Sequence, residues 1–273
     1  MLPLSFHKSF IPERRLIARL LDYAVLGKEG SLKEISHETG IPMGESTGKT
    51  QAVVDYATAM GLISVEAGET RGRKRPILTA FGRAVYREDR YLSEQLSQWL
   101  AHMSMCRSDI GARAWYEVFA RGYRSLGSSF GKKNLEDHLA TVFGPGPNRT
   151  GPILSVYTDD AALGRTGALT VLDEAISRNK APLLSAYWLP YSVYVLALMD
   201  AVFPGESQVT VADFNARTFL FDICLWGAAD LEYALSHIER KGLISVDRQM
   251  RPWILERCAV TDEAWLRLFE DVT

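Results

Sequence analysis

Apolar residues recur at helical spacing near the start of the chain. Leu16, Ile17, Leu20, Leu21, Ala24 and Val25 share one face, which predicts a helix over Arg14 to Leu26 with Gly27 as its stop. A second, shorter helix is predicted over Ser31 to Thr39, because Ser31 and Glu34 have the spacing of a capping box and Gly40 can end the run. A third is predicted from Thr47 to Met60, with Val53, Val54, Ala57 and Met60 inward. The period then shortens to two. Gly61-Leu62-Ile63-Ser64-Val65 reads as a strand, Pro76-Ile77-Leu78-Thr79 as its partner, and Ala80 to Tyr86 as a further helix. Helix, short helix, helix and two-stranded hairpin is the order of a winged helix.

Leu92 to Met105, Gly111 to Gly122 and Asn134 to Phe143 carry helical periodicity without strand patterning. Gly144-Pro145-Gly146-Pro147-Asn148-Arg149-Thr150-Gly151-Pro152 forbids regular structure and suggests a domain boundary. Beyond it, helices are expected near Ile153 to Ala162 and Ala168 to Arg178, then a pair of buried helices meeting near Pro190. The C-terminal stretch runs through Val211 to Arg217, Phe219 to Leu225 and Asp230 to Lys241. It then repeats the earlier phrase as Gly242-Leu243-Ile244-Ser245-Val246, followed by a polar turn and Trp253-Ile254-Leu255. The expected fold is therefore mainly α, in three parts: an N-terminal winged helix with a small β-hairpin wing over residues 1–90, a helical segment over 91–143, and a helical domain over 153–273 that ends in a second winged-helix-like unit.

Composition narrows the class. With 273 residues, 47% of them hydrophobic and 23% charged, the chain has ample material for a folded core. Cys106, Cys224 and Cys258 are odd in number and far apart, which suggests neither a disulfide framework nor a zinc site, and a reducing cytoplasm fits best. Met1 to Phe10 has no signal-peptide core. Ala181 to Met199 is uncharged and long enough for a membrane span, but Pro182, Pro190 and its tyrosine and serine tips argue for buried helices, so no membrane partner is expected.

Charge changes the picture more. The net charge of −2 argues against a nucleic-acid partner until it is resolved along the chain. Residues 1–150 carry 21 Lys+Arg against 16 Asp+Glu, and residues 151–273 carry 10 against 17. A basic half can collect phosphates while an acidic half repels them or docks a basic protein.

The candidate chemistry follows that basic half. Arg71, Arg73, Lys74 and Arg75 place four cations at the expected wing, suited to phosphates or a narrow minor groove. Lys49, Thr50 and Gln51 lie near the start of the third helix, the expected recognition helix. Gly44 to Thr50 contains Gly48-Lys49-Thr50, yet Met43 stands where a phosphate-binding loop requires glycine, so nucleotide binding is not expected. Asp159-Asp160 and Asp173-Glu174 could hold a hard cation, although such pairs usually cap helices or face water. His7, His37, His102, His138 and His237 form no metal-ligand spacing, and no hydrolase signature occurs. Catalytic residues are therefore unknown, no metal ligands are assigned, and no cofactor is evident. Mg²⁺ or Mn²⁺ is expected only if the chain is a nuclease.

Several short motifs occur in a shared order. His7-Lys8-Ser9-Phe10 with Arg14 close behind resembles the His-Glu-Thr-Phe opening of a bacterial domain-of-unknown-function family. Gly48-Lys49, Met60-Gly61-Leu62-Ile63, Leu78-Thr79 with Gly82, Gln98-Trp99-Leu100-Ala101-His102, and Trp115-Tyr116 with Phe119 follow in the same order. Lys8 and Ser9 replace that family's acidic residue and threonine. The family includes the SspB-like, DNA-nicking component of single-strand DNA phosphorothioation systems. The resemblance implies a DNA-modification and antiviral-defence setting in which a strand is nicked for sulfur incorporation. It also implies double-stranded DNA and the other phosphorothioation proteins, a cysteine desulfurase, an ATPase and an ATP pyrophosphatase, as partners. The residues alone also accommodate a non-catalytic transcriptional regulator or DNA-binding adaptor, and a homodimer is open in either case.

Overall fold

The computed structural model describes residues 1–43, 48–146 and 149–272. Thr47, at the expected start of the third helix, and Pro147 and Asn148, in the expected boundary, lie outside the described residues, as do Gly44 to Ser46. Helix α1 (Arg14–Val25) buries Leu16, Ile17, Leu20, Leu21 and Ala24, the face the periodicity marks. Ser31 caps α2 (Leu32–Thr39) as a full capping box with Glu34, and Gly40 takes the left-handed conformation that ends it. Helix α3 (Gly48–Ala59) turns Val53, Val54 and Ala57 inward. Strands β1 (Ile63–Ala67) and β2 (Lys74–Leu78) pair antiparallel from Ile63↔Leu78 to Ala67↔Lys74. Helix α4 (Ala80–Glu88) follows.

The family-like motifs at this junction have structural tasks. The Thr79 hydroxyl donates to Gly61 O at 2.6 Å and accepts the Gly82 N–H at 2.9 Å, capping α4 onto the start of the hairpin. Gly82 lies so close that an added Cβ would stand 1.8 Å from Leu62 O. Gly61, at φ 72°, makes the turn from α3 into the strand that side-chain-bearing residues disfavour.

Helix α5 (Gln95–Met105) is buried on nearly every position, and Trp99 and His102 sit within it. The region 111–122 forms a short helix, α6 (Arg113–Trp115), continued by a π-helical turn over Tyr116–Arg121. Trp115 and Phe119 are buried there, and Trp115 meets Phe6 at a ring separation of 5.8 Å. After α7 (Tyr123–Leu126), β3 (Ser129–Gly131), α8 (Lys132–Phe143) and α9 (Thr150–Thr158), the chain forms strands β4 (Leu169–Leu172) and β5 (Ala175–Arg178). These make a three-stranded antiparallel sheet in the order β3-β5-β4. The helix expected over Ala168 to Arg178 is thus a hairpin. Leu169-Thr170-Val171-Leu172 is rich in strand-forming residues, and Asp173, at φ 53°, adopts the left-handed turn geometry that a helix would not contain.

The chain divides into two compact units, Met1–Asn179 and Lys180–Thr273, so the Gly/Pro segment 144–152 lies inside the first unit. In the second unit the apolar run forms one helix, α10 (Trp188–Val202), rather than two meeting at Pro190. Pro190 occupies its first turn, where no helical N–H donation is required. Strand β6 (Gln208–Thr210) leads into α11 (Val211–Thr218), α12 (Leu220–Ile223) and α13 (Ala228–Glu239). Strands β7 (Ile244–Asp247) and β8 (Ile254–Arg257) follow, with sheet order β6-β8-β7, before the final helix α14 (Thr261–Trp265). The repeated five-residue phrase has the same task twice. Gly61 and Gly242 both have positive φ after a helix, and Leu62-Ile63 and Leu243-Ile244 both bury as the first strand of a hairpin begins. The molecule is mainly helical with small antiparallel sheets. Among the described residues no helix is long and apolar enough to cross a membrane.

Candidate nucleic-acid interface

The β1–β2 hairpin closes with Gly68 N donating to Arg73 O at 3.0 Å, leaving Glu69 to Gly72 as its tip. The four clustered cations are therefore not equivalent. Arg71 stands at the tip, exposed and without a hydrogen-bond or ion-pair partner among the described residues. Arg73 follows the tip and folds back: its guanidinium meets Glu29 at 3.1 Å and Glu34 at 2.9 Å and also donates to Glu29 O. Arg75, in β2, pairs with Glu29 at 3.2 Å. The Glu69 N–H, together with Arg75 and Arg73, holds the Glu29 carboxyl below the usual range. Two of the four cations thus rest on carboxylates that lie 39 to 46 residues away in sequence.

Lys74 points elsewhere. Its backbone bridges Gly30, with N–O distances of 3.0 and 2.8 Å, and its ammonium donates to Gln51 Oε1 at 2.8 Å. The Gln51 amide in turn donates to Asp55 Oδ1 at 2.6 Å. Gln51, Asp55 and Thr58, spaced i, i+4 and i+7, are the partly exposed stripe of α3. Burial pushes the Asp55 carboxyl up, and Gln51, Lys74 and Lys8 oppose that shift.

The remaining two candidates at the start of α3 behave differently. Lys49 forms an ion pair with Glu13 at 2.6 Å and lies 5.6 Å from the centre of the Phe10 ring. Thr50 is fully buried, at 0% exposure, with its hydroxyl 3.5 Å from the Met43 sulfur. Thr50 is consequently part of the core and presents nothing to a ligand, because its position on α3 falls on the same inward face as Val53, Val54 and Ala57.

Lys8 stands in a motif that the sequence marks, yet nothing in the sequence assigns it to the candidate interface. It is exposed, its stem packs where a Cβ on Gly48 would meet it at 3.3 Å, and its charge acts on the Asp55 carboxyl in the same direction as that of Lys74. Both Lys8 and Ser9 adopt positive φ, 47° and 66°, which turns the chain sharply at this point. His7 accepts the Ser9 N–H at 3.0 Å through Nδ1, and burial lowers its pKa, so it anchors the turn as a neutral ring. Positive φ at a lysine carries no sequence signature, so only its position in a motif could have drawn attention to Lys8.

The other motif histidine is also structural. His102 Nδ1 lies 2.6 Å from the Tyr157 hydroxyl, which also accepts from Trp115 Nε1 at 3.0 Å. Complete burial, with the nearby Arg178 charge, pushes the His102 pKa down to about 3. One member of each acidic pair is engaged locally. Asp159 accepts the Ala161 N–H at 2.8 Å, and Glu174 meets Lys132 at 3.1 Å. Among the described residues no group of three or more His, Cys, Asp or Glu side chains is placed to hold a metal ion.

No family model matches the chain. No curated protein matches it either. Solved structures do. A magnesium ion-bound SspB crystal structure aligns with a TM-score of 0.71 and 16% identity, over 98% of this chain and 88% of that one. A second SspB crystal structure aligns with a TM-score of 0.64 and 17% identity over the same shares. The chain therefore has an SspB-like fold along nearly its whole length.

Proposed function

We propose that the protein is a DNA-binding component of a bacterial DNA phosphorothioation system and that it engages duplex DNA through the partly exposed stripe of α3 and the β1–β2 hairpin. The observation that carries the reading is the SspB-like fold over 98% of the chain. The arrangement of the first unit supports it. A bridge at Gly30, α2, α3 and a two-stranded hairpin follow α1 in the order of a winged helix, and β6, α11 to α13 and the β7–β8 hairpin repeat that order in the second unit. A helix fits the major groove, and cations on an adjoining hairpin fit the flanking phosphates.

In this reading Gln51 reaches base edges or phosphates from α3, while Lys8, Arg71 and Lys74 meet phosphates. Lys49 contributes once DNA competes with Glu13 for its ammonium. Arg73 and Arg75 hold the hairpin against α2 and the segment before it, through Glu34 and Glu29, and keep the phosphate-facing side in register. Strand nicking belongs to the same proposal. It rests on the SspB-like fold and the order of motifs over residues 6–120, with no residue assigned to the step.

Deleting the gene in its host tests the system-level role. The expected result is loss of phosphorothioate linkages from digested genomic DNA by mass spectrometry, and an unchanged content overturns the reading. Incubating the purified protein with supercoiled plasmid and Mg²⁺ or Mn²⁺ tests nicking separately. Open-circular product is expected, and an intact plasmid removes the endonuclease part while leaving DNA binding in place.

A further inference from the structure

The first unit contains a concavity of about 810 Å³ whose wall includes Arg14, Arg15, Arg19 and Arg165. Its volume lies within the range of small-ligand sites. Glu13, Asp22 and Asp160 also line it. Two of these carboxylates are already engaged with cations outside the wall, Glu13 with Lys49 at 2.6 Å and Asp22 with Arg90 at 2.9 Å.

The arginines, in contrast, are held by neutral groups. Arg14 donates to Asp160 O at 2.6 and 3.2 Å, to Tyr91 O at 3.3 Å and to Leu92 O at 3.2 Å. Arg19 donates to Gly40 O at 3.3 Å, and Arg165 to Ser93 O at 3.2 Å. Arg15 is exposed and has no hydrogen-bond or ion-pair partner among the described residues. Backbone carbonyls orient a guanidinium without cancelling its charge. Arg15 and Arg19 are also like charges at i and i+4 on α1, an arrangement that costs a helix stability. Burial lowers the Arg14 pKa, the charges of Arg165 and Arg15 act in the same direction, and the Asp89 and Asp160 carboxylates oppose them. Asp160, whose charge acts on Arg14, is the one lining carboxylate without an ion pair among the described residues, and four arginines against it leave positive charge predominant in the wall.

We propose that this concavity binds a phosphate-bearing ligand, with Arg15, Arg19 and Arg165 contacting the phosphate oxygens and Arg14 forming the fixed floor. Guanidinium forks match the paired oxygens of a phosphate, and several forks around one space favour an anion with more than two acceptor oxygens over a simple carboxylate. The site goes beyond the α3–hairpin reading and does not require it. Phosphate could reach it as a nucleotide or as the backbone of a displaced strand, and the chemistry of recognition is the same for both.

Calorimetry on the full chain at low salt separates the sources, using inorganic pyrophosphate, ATP and a single strand of about twelve nucleotides as probes. Binding of at least one probe is expected, weakened about tenfold or more in the R15Q/R19Q/R165Q variant. Pyrophosphate and ATP binding would identify a small free phosphate compound, and binding by the oligonucleotide alone would identify a nucleic-acid backbone. The site is overturned if no probe binds at about 1 mM, or if the triple variant binds as the unaltered protein does. Should the triple variant fail to fold, R15Q alone carries the test, because the Arg15 side chain makes no hydrogen bond or ion pair among the described residues; a loss of about threefold is expected, and unchanged affinity overturns the site. An R71A/K74A variant keeps pyrophosphate binding under this proposal. If that variant loses duplex DNA while R15Q/R19Q/R165Q keeps every probe, the pocket falls and the α3–hairpin reading stands.

Discussion

Asp55 is the one carboxylate on the partly exposed stripe of α3: the Gln51 amide donates to it, and Lys74, whose ammonium donates to Gln51, acts on it by charge. Burial raises its pKa, and an approaching phosphate would raise it further, so in the proposed complex it opposes binding while ionised. Asp55→Asn should keep the Gln51 contact and tighten duplex affinity about three- to tenfold at low salt, measured by fluorescence anisotropy. Unchanged or weaker binding would place DNA elsewhere. His102 governs a different property. Its folded-state pKa of about 3 lies below the ordinary value of 6.5, so the unfolded chain binds the extra proton. The stability this contributes is fully present above about pH 6.5 and is lost at about 1.4 kcal/mol per pH unit as pH falls toward about 3. Urea titrations between pH 7 and 4 should show that loss, and His102→Gln should flatten the slope while lowering stability at neutral pH. A slope unaltered by the substitution would remove His102 from the account.

At the scale of elements, the hairpin is held from two ends. Glu29 and Glu34 secure it at the tip side, and the Thr79–Gly82 junction secures it at the base. Gly82→Ala would drive a methyl group into Leu62 O, a backbone atom that cannot move away cheaply. A loss of about 3 kcal/mol or more is expected in thermal or urea unfolding, whereas a loss under about 1 kcal/mol would mean that α4 is not seated as described. These elements also show what sequence can and cannot convey. The Ser31–Glu34 capping box and the Gly40 stop were legible because both depend on neighbours within one turn. The β1–β2 hairpin was legible from its alternation. The engagement of Arg73 and Arg75 was not, since a carboxylate some 40 residues distant leaves no local mark, and a run of four cations reads alike whether paired or exposed. Pro190 misled for a related reason: proline breaks a helix interior but is at ease in a first turn, and only the fold says which turn it occupies. The β4–β5 hairpin escaped because its strands are four residues long, too short for period two to outweigh helical periodicity.

For the whole molecule, the structural division keeps the sign of the charge asymmetry and reduces its size. The first unit carries 23 Lys+Arg against 20 Asp+Glu and the second carries 8 against 13. The bias of the first unit is slight because it carries nearly as many acidic residues as basic ones, and several of its cations pair with them, so affinity for DNA should come from few contacts and not from a diffuse basic surface. A small number of contacts gives a shallow salt dependence, about 0.9 in log-log slope for each phosphate neutralised. The central claim is that Arg71 and Lys74 supply two of these contacts while Arg73 and Arg75 serve the hairpin. The most direct test is a salt titration of duplex binding by the full chain and its R71A/K74A variant. The account predicts weaker binding across sequences and a slope reduced by about two. An unchanged affinity and slope would contradict it.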